Sequence, residues 1–327
     1  MKKAPATEAA KRHHLHQYST APAGGFNHLD AIRAAMVNSG IEPVHPDAIL
    51  SRLSDADGRV IRFATVSKPH SKNGWLIAFH DRGVPVAVIA GDWATGAEMK
   101  WLSGNADSMT PAEHRELARR MAAARQAREH EQARQWETRA TAAARLWHSC
   151  QPADPQHPYL KTKGIQPHSA RQKGRDLVLL LADFSGRAWS LQTIAPAGNK
   201  RLMAGGKKTG NFIVVDGPDY PARVLICEGF ATGCTLAEMD PAALVLAAVD
   251  CGNLRAVAVG ARKRWPNADL IVCGDDDRKT PGNPGATAAR AAAIEAGARF
   301  ALPEWPPAAP LHLSDFNDLH NWQKGAA

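Results

Sequence analysis

The clearest hydrophobic pattern lies in the last third of the chain. Short apolar runs at residues 223–227, 243–248 and 269–273, with a further piece at 299–301, are separated by helically patterned segments at 231–238, 254–265 and 285–296. Strands that regularly interleave with helices predict a parallel, doubly wound sheet. In such a sheet ligands collect outside the carboxyl ends of the strands, so the residues just after 227 and 273 are the first place to look for chemistry.

Upstream the pattern changes. Residues 156–215 read as α+β, with strands expected at 177–181, 188–194 and 211–215. A basic, glycine-rich loop at 199–210 carries Lys200, Arg201, Lys207 and Lys208. Its glycines let backbone approach a ligand closely, and it lacks the GxxxxGK[ST] spacing of a P-loop. It is expected to contact phosphate; the plainer reading is a solvated turn. Residues 112–149 contain no Gly or Pro and are rich in Ala, Arg, Glu and Gln. Thr110, Pro111 and Glu113 supply an N-cap, a first-turn proline and a first-turn acid, so a long polar connecting helix is expected, closed by Pro152, Pro155 and Pro158.

Residues 48–103 alternate in the short period of strands, at 59–65, 74–79 and 84–89. Turn signals stand at Asp55-Ala-Asp-Gly58 and Lys72-Asn-Gly74, and a tight loop is expected at Gly91-Asp-Trp-Ala-Thr-Gly96. Trp75, Trp93 and Trp101 sit among Arg and Lys and could stack bases, but tryptophans are usually largely buried, and a small core is the expected use. A helix at 28–37 is stopped by Pro43 and Pro46. The resulting organisation is a flexible arm at 1–27, a small β-rich module at 28–109, a helical connector at 110–150, a basic α+β subdomain at 151–216 and a doubly wound domain at 217–327.

Composition narrows the function classes. With 44% hydrophobic and 22% charged residues the chain is of globular type. It has no run of about 18 apolar residues, so neither a transmembrane helix nor a membrane partner is expected, and residues 1–19 contain no apolar signal core. A formal net charge of +8 favours polyanionic partners. Five cysteines form no CxxC pair, which argues against zinc and for reduced thiols in a cytoplasmic protein. His13, His14 and His16 could bind a metal, but a solvated tail is the expected reading.

Two acidic sites fall at the strand ends. Glu228-Gly229 follows the first apolar run, and Gly274-Asp-Asp-Asp277 follows the third. Carboxylates brought this close repel one another and need a cation or shifted pKa values as an offset. Hard oxygen ligands suit Mg²⁺ or Mn²⁺. The DxD spacing puts Asp275 and Asp277 on one side of an extended backbone and turns Asp276 away. A lone DxD is a weak signal. Glu-Gly after one strand with DxD after a strand some 45 residues later is much stronger.

These two motifs resemble those of the Toprim domain, found in bacterial primases, topoisomerases, some nucleases and a recombination mediator. The finer matches are Cys227-Glu-Gly-Phe-Ala-Thr-Gly-Cys-Thr-Leu236, Asp275-Asp-Asp-Arg278, Asn283-Pro-Gly285 and Ser314-Asp-Phe-Asn-Asp-Leu319. They are similar to the Toprim primases of conjugative plasmids and satellite phages, and His157-Pro-Tyr-Leu160, Lys163-Gly-Ile165 and Lys200-Arg-Leu-x-x-Gly-Gly206 extend the likeness to about 156–320. The resemblance implies RNA primer synthesis on single-stranded DNA from ribonucleoside triphosphates. Glu228, Asp275 and Asp277 would be catalytic, with Asp315 and Asp318 added as metal ligands. Lys161, Lys163, Lys200, Arg201, Lys207, Lys208 and Arg278 would hold nucleotide or template. The chain departs from the pattern in lacking a zinc-binding motif and a P-loop, so a separate replicative helicase is a candidate partner. The same metal site could serve a nuclease, and a non-catalytic single-strand-binding or recombination-mediator module is the reading outside enzymes. A topoisomerase is disfavoured, because Tyr18, Tyr159 and Tyr220 have no recognisable nucleophile setting.

Overall fold

The computed structural model describes residues 18–20, 28–81, 83–93, 95–103 and 110–325. The chain divides into two compact units, Met1–His130 and Glu131–Ala327. The boundary falls inside the long helix.

The N-terminal unit contains strand β1 (Tyr18–Thr20), helices α1 (His28–Asn38) and α2 (Pro46–Leu50), and strands β2 (Ile61–Phe63), β3 (Gly74–Asp81), β4 (Val84–Asp92) and β5 (Ala97–Leu102). β2 to β5 form an antiparallel meander, and β1 adds to it parallel to β5. Side chains alternate across the pleat. Phe63, Leu76, Ala78, Val88 and Trp101 enter a core with Ile32 and Met36 of α1. Ile77, Phe79 and Ala87 face the opposite way and meet Leu117 of α3 (Pro111–His148). Two helices thus accompany the strands expected from the β-like pattern. Of the arm expected at 1–27, Tyr18–Thr20 is a strand; the remainder, with His13, His14 and His16, lies outside the described residues.

Helix α3 starts as its sequence requires. The Thr110 backbone N–H donates to Glu113 Oε2 at 2.7 Å, and the Glu113 N–H donates to Thr110 Oγ1 at 3.3 Å, which is a reciprocal capping box.

The C-terminal unit holds two further sheets. In the first, β6 (Gln151–Pro152), β7 (Arg171–Lys173), β8 (Asp176–Ala182), β9 (Ala188–Ile194) and β10 (Lys200–Leu202) are antiparallel, in the order β10-β9-β8-β7-β6, with α4 (Pro158–Lys163) between β6 and β7 in sequence. The second contains β11 (Ile213–Asp216), β12 (Arg223–Cys227), α5 (Phe230–Met239), β13 (Leu244–Ala247), α6 (Cys251–Arg264), β14 (Asp269–Cys273), α7 (Pro284–Ala296), β15 (Arg299–Ala301) and α8 (Phe316–Gly325). Its order is β11-β13-β12-β14-β15; β12 to β15 are parallel and β11 is an antiparallel edge. The edge strand comes from before residue 217, so the sheet reaches back across the expected 216/217 boundary.

The doubly wound reading follows from burial on both faces. Val224, Ile226, Leu244, Leu246, Leu270 and Val272 pack against α6 and α7. Leu225, Cys227, Val245 and Ala247 pack against α5 and against Leu177, Leu179 and Leu181 of β8, joining the two sheets in one core. Strands buried on both faces must be apolar throughout.

Candidate active site

β12, β13 and β14 end level with one another. Cys227 is in register with Ala247 on one side and Cys273 on the other. Glu228, the 248–250 segment and the 274–277 segment therefore leave the sheet side by side, at the carboxyl ends where helix and strand cannot fill the space. Glu228, Asp250, Asp275 and Asp315 line one cleft of about 240 Å³ together with Lys163 and Lys200.

The loop after β14 sorts its three aspartates by hydrogen bonding. Asp276 turns back into the protein: its Oδ1 accepts from Asn283 Nδ2 at 2.6 Å and its Oδ2 from Trp305 Nε1 at 3.0 Å. Asp277 lies at the start of α7, where its Oδ2 accepts from the Gly285 N–H at 3.0 Å. Asn283, in a left-handed conformation at φ 42°, also accepts from the Asp277 N–H at 2.8 Å. One amide side chain thereby fixes the loop and caps the helix. The helix amino terminus favours negative charge beside it.

Gly285 shows how tightly the acids converge. A Cβ at this position would stand 2.7 Å from the Asp275 carbonyl oxygen and 3.0 Å from both Asp277 Oδ2 and Glu228 Oε1. The Asn283-Pro-Gly285 sequence thus ends in the residue that lets α7 reach the carboxylates.

Three acids of the cleft are poorly satisfied. Glu228 Oε1, Asp250 Oδ1 and Asp275 Oδ1 are buried without a hydrogen-bond partner. Burial, then the neighbouring carboxylates of Glu228, Asp315 and Asp277, push Asp275 up to about 8, with Lys200 opposing. Burial and Asp277 push Glu228 up to about 7, with the backbone amides of Asp275 and Cys251 opposing. Asp315 is also raised, by burial and by Asp318. Orphaned oxygens with raised pKa values, and no nitrogen or sulfur donor among them, fit a hard divalent cation. Among the described residues no group of three or more His, Cys, Asp or Glu is already arranged to hold a metal ion, so the acids form an open cluster rather than a closed cage.

The cations divide into those in the cleft and those outside it. Lys200 is an exposed residue overall, yet its Nζ approaches Gly229, 3.7 Å from where a Cβ would stand there. Burial and the Lys163 charge lower its pKa, against the pull of Asp315 and Asp275. Lys163 Nζ lies 3.4 Å from Asp318 Oδ1. Asp318 is engaged further by the Ser314 N–H at 3.1 Å, while Asp315 Oδ1 accepts from the Asp318 N–H at 2.8 Å. Both acids therefore cap α8, and Asp315 also lines the cleft.

Lys208 Nζ pairs with Asp250 Oδ2 at 2.6 Å. Lys207 Nζ lies over the Trp136 and Trp189 rings, at 5.3 and 4.4 Å from their centroids. Arg201 is exposed on β10, and Lys161 is exposed on α4. The guanidinium of Arg278 donates to the Pro310 and Leu313 carbonyls at 2.7 and 3.1 Å and stacks on Trp305 at 4.3 Å, so it binds the 304–314 segment down.

Sequence reasoning missed Asp250 and the conformation before it. Asp250 stands three residues past the end of β13, as Glu228 stands directly past β12, and an acid soon after an apolar strand was the available signal. Val249 has φ 80°, a costly conformation for a β-branched residue that is held only where its surroundings insist. It too lines the cleft.

Residues 223–327 match a family model for the Toprim domain. The chain is 36% identical over 262 residues to a DNA primase TraC of Escherichia coli, an alignment covering 77% of this chain and 24% of that protein. It is 34% identical over 257 residues to another Escherichia coli DNA primase TraC, covering 75% of this chain and 18% of the relative. The chain thus spans a quarter or less of the length of these relatives. Among solved structures it is similar to the primase fragment of the bacteriophage T7 primase-helicase protein, with a TM-score of 0.36 and 14% identity over 50% of this chain and 69% of that one. It is also similar to primase domains in a bacteriophage T7 lagging-strand DNA polymerase complex, with a TM-score of 0.35 and 14% identity over 51% of this chain and 86% of that one.

Proposed function

Starting from the Toprim domain at residues 223–327, we propose that this chain is a DNA primase that joins ribonucleoside triphosphates into short RNA on a single-stranded DNA template. The observation that carries the reading is the cleft itself, where unpartnered Glu228 and Asp275 oxygens share one space with the ammonium groups of Lys163 and Lys200. Carboxylates repel a polyanion unless a cation intervenes, so this mixture suits a metal-bound triphosphate better than DNA alone.

Glu228, Asp275 and Asp277 are the groups that would hold Mg²⁺ or Mn²⁺, with Asp315 next to them in the cleft. When bound, such a cation neutralises phosphate charge, lowers the pKa of a 3′-hydroxyl and stabilises departing pyrophosphate. The protein's own part is placement. Gly285 and Asn283 hold the Asp275–Asp277 loop against Glu228. Lys200 and Lys163 attract the triphosphate oxygens, and Asp318 keeps Lys163 directed at the cleft. Lys208, through Asp250, ties the basic loop to the same strand ends. Arg201, exposed beside Lys200, suits the template backbone, as do Lys161 and Lys207 to a lesser degree. Arg278, already engaged by two carbonyls, suits it least. Such an enzyme works in the cytoplasm in replication or transfer of a plasmid, phage or other mobile element, with a separate replicative helicase as candidate partner. Among the described residues no helix is long and apolar enough to cross a membrane.

The test is primer synthesis with single-stranded DNA, labelled ribonucleotides and Mg²⁺, run beside Asp275→Ala. Short labelled RNA that disappears in the variant is the expected result. Metal-dependent cutting of the DNA without RNA synthesis would overturn the primase reading in favour of a nuclease.

A further inference from the structure

The N-terminal unit carries a row of aromatic and basic side chains at the rim of its Ile77, Phe79 and Leu117 cluster, against which Trp75 is partly buried. Strand register sets Arg62 of β2 opposite Trp75 of β3, and Trp75 opposite Gly91 of β4. All three stand in one row on one face of the sheet. Gly91 lets the row lie flat, since a Cβ there would fall 2.7 Å from the Trp75 ring. Trp93, in the turn after β4, packs on Trp75 with ring centroids 5.9 Å apart and planes inclined by 30°. The Arg62 guanidinium lies 4.1 Å from the Trp93 centroid. Yet Trp93 remains 54% exposed, whereas Trp101 of the same sheet is 1% exposed.

The exposed ring is held by a rigid base. Its backbone N–H donates to the Asn73 carbonyl at 3.1 Å. Asp92, directly before it, accepts from Thr65 Oγ1 at 2.8 Å, Ser67 Oγ at 2.6 Å and Asn73 Nδ2 at 2.5 Å. The loop gripped in this way carries Lys68 and Lys72, both exposed. Between Asp57 and Asp81 the sequence contains Arg59, Arg62, Lys68 and Lys72 and no carboxylate. Glu98 of β5, opposite Gly91, bounds the surface on its far side.

An exposed tryptophan fixed from below and flanked by cations has the chemistry of a base-stacking platform. Aromatic faces take bases of any identity, and the lysines beside them take phosphates. The absence of acids along this stretch of sequence favours a polyanion over a protein partner. We propose that Trp93, Trp75 and Arg62 form a binding surface for single-stranded DNA, with Lys68 and Lys72 contacting its phosphates. Its use for holding template rests on the primase reading above; the binding does not.

The test is fluorescence anisotropy of a labelled oligothymidylate, with the full chain in EDTA so that metal at the acidic cleft does not contribute. Trp93→Ala is expected to weaken binding roughly tenfold, as loss of one stacked base implies, and Trp93→Phe to restore most of it. The double substitution Lys68→Glu and Lys72→Glu is expected to weaken binding and to flatten its salt dependence. Binding as tight as the parent's in both Trp93→Ala and the double variant overturns the proposal. If those variants bind like the parent while the parent still makes primers, this surface fails and the primase reading survives. Binding that depends on Trp93, in a chain that makes no RNA, leaves this surface standing and removes only its link to a template.

Discussion

Asp92 in the N-terminal unit and the Glu228–Asp275 pair in the C-terminal unit are carboxylates withdrawn from water, and their surroundings treat them in opposite ways. Asp92, 1% exposed, receives Thr65, Ser67 and Asn73. Glu228 and Asp275 each keep a buried oxygen with no donor and are raised towards neutrality. A buried charge with its hydrogen bonds supplied holds a turn together. A buried charge lacking them costs stability and needs a ligand to recover it. Burial alone does not set what a carboxylate needs; the partners it is given do.

Gly285→Ala tests this contrast most severely. The added methyl would press on the Asp275 carbonyl and on the Glu228 and Asp277 carboxylates, and a displacement of even about 1 Å in such a site can cost about a hundredfold in rate. Primer synthesis is expected to fall by about that factor while the N-terminal unit still binds oligonucleotide; unchanged synthesis would remove the acids' convergence from the argument. Asp92→Ala should do the reverse. It removes the shared acceptor of Thr65, Ser67 and Asn73, of which Thr65 and Asn73 are buried, and is expected to cost about 2–4 kcal/mol in urea unfolding, and a neutral result would mean the network is not what holds the turn.

The smallest effect is in the pH dependence of the metal-free chain. Unfolded, Glu228 and Asp275 titrate near their ordinary values of 4.5 and 3.8; folded, they titrate at about 7 and about 8. Between these limits the unfolded state releases protons that the folded state keeps, so stability falls as pH rises through the window and levels off above it. The melting temperature in EDTA should therefore drop from about pH 5 to about pH 8. Glu228→Gln should recover about 2–4 °C at the upper end. A melting temperature that rises across this range would show that the acids are not repelling one another.

What could be read from the sequence depended on how each element is stabilised. β12 and β14 emerge with the boundaries their apolar runs suggest, because after the charged first residues Arg223 and Asp269 each strand is covered on both faces and is apolar to its end. β6 and β10 could not be read in this way. They are 2 and 3 residues long, largely exposed and defined by pairing with β7 and β9, and β10 lay inside what reads as a loop. Helix α8 was likewise missed, since it buries Asn317 rather than an apolar stripe. In the site, Glu228 and the Asp275–Asp277 loop stood out as acids after apolar strands. That Asp276 turns away was legible in the DxD spacing, but its bond to Trp305 and the tethering of Arg278 by two carbonyls depend on residues about 30 positions away and left no local trace. Among the tryptophans, Trp101 follows the expectation of burial and Trp93 does not.

Asn253 gives the glycine-rich basic loop a character that its composition conceals. This buried amide donates its two hydrogens to the carbonyls of Asn211 and Ala248 at 2.8 and 2.9 Å, with the Lys208 carbonyl sharing one of them at 3.3 Å, and accepts from the Gly210 N–H at 2.8 Å. Together with the Lys208–Asp250 pair, this one amide fastens the end of the loop to the segment after β13. Its opening is expected to be a cooperative event on the timescale of local unfolding rather than the fast motion of a surface turn. The Gly210 amide should accordingly exchange its hydrogen as slowly as the strand end to which the loop is bound.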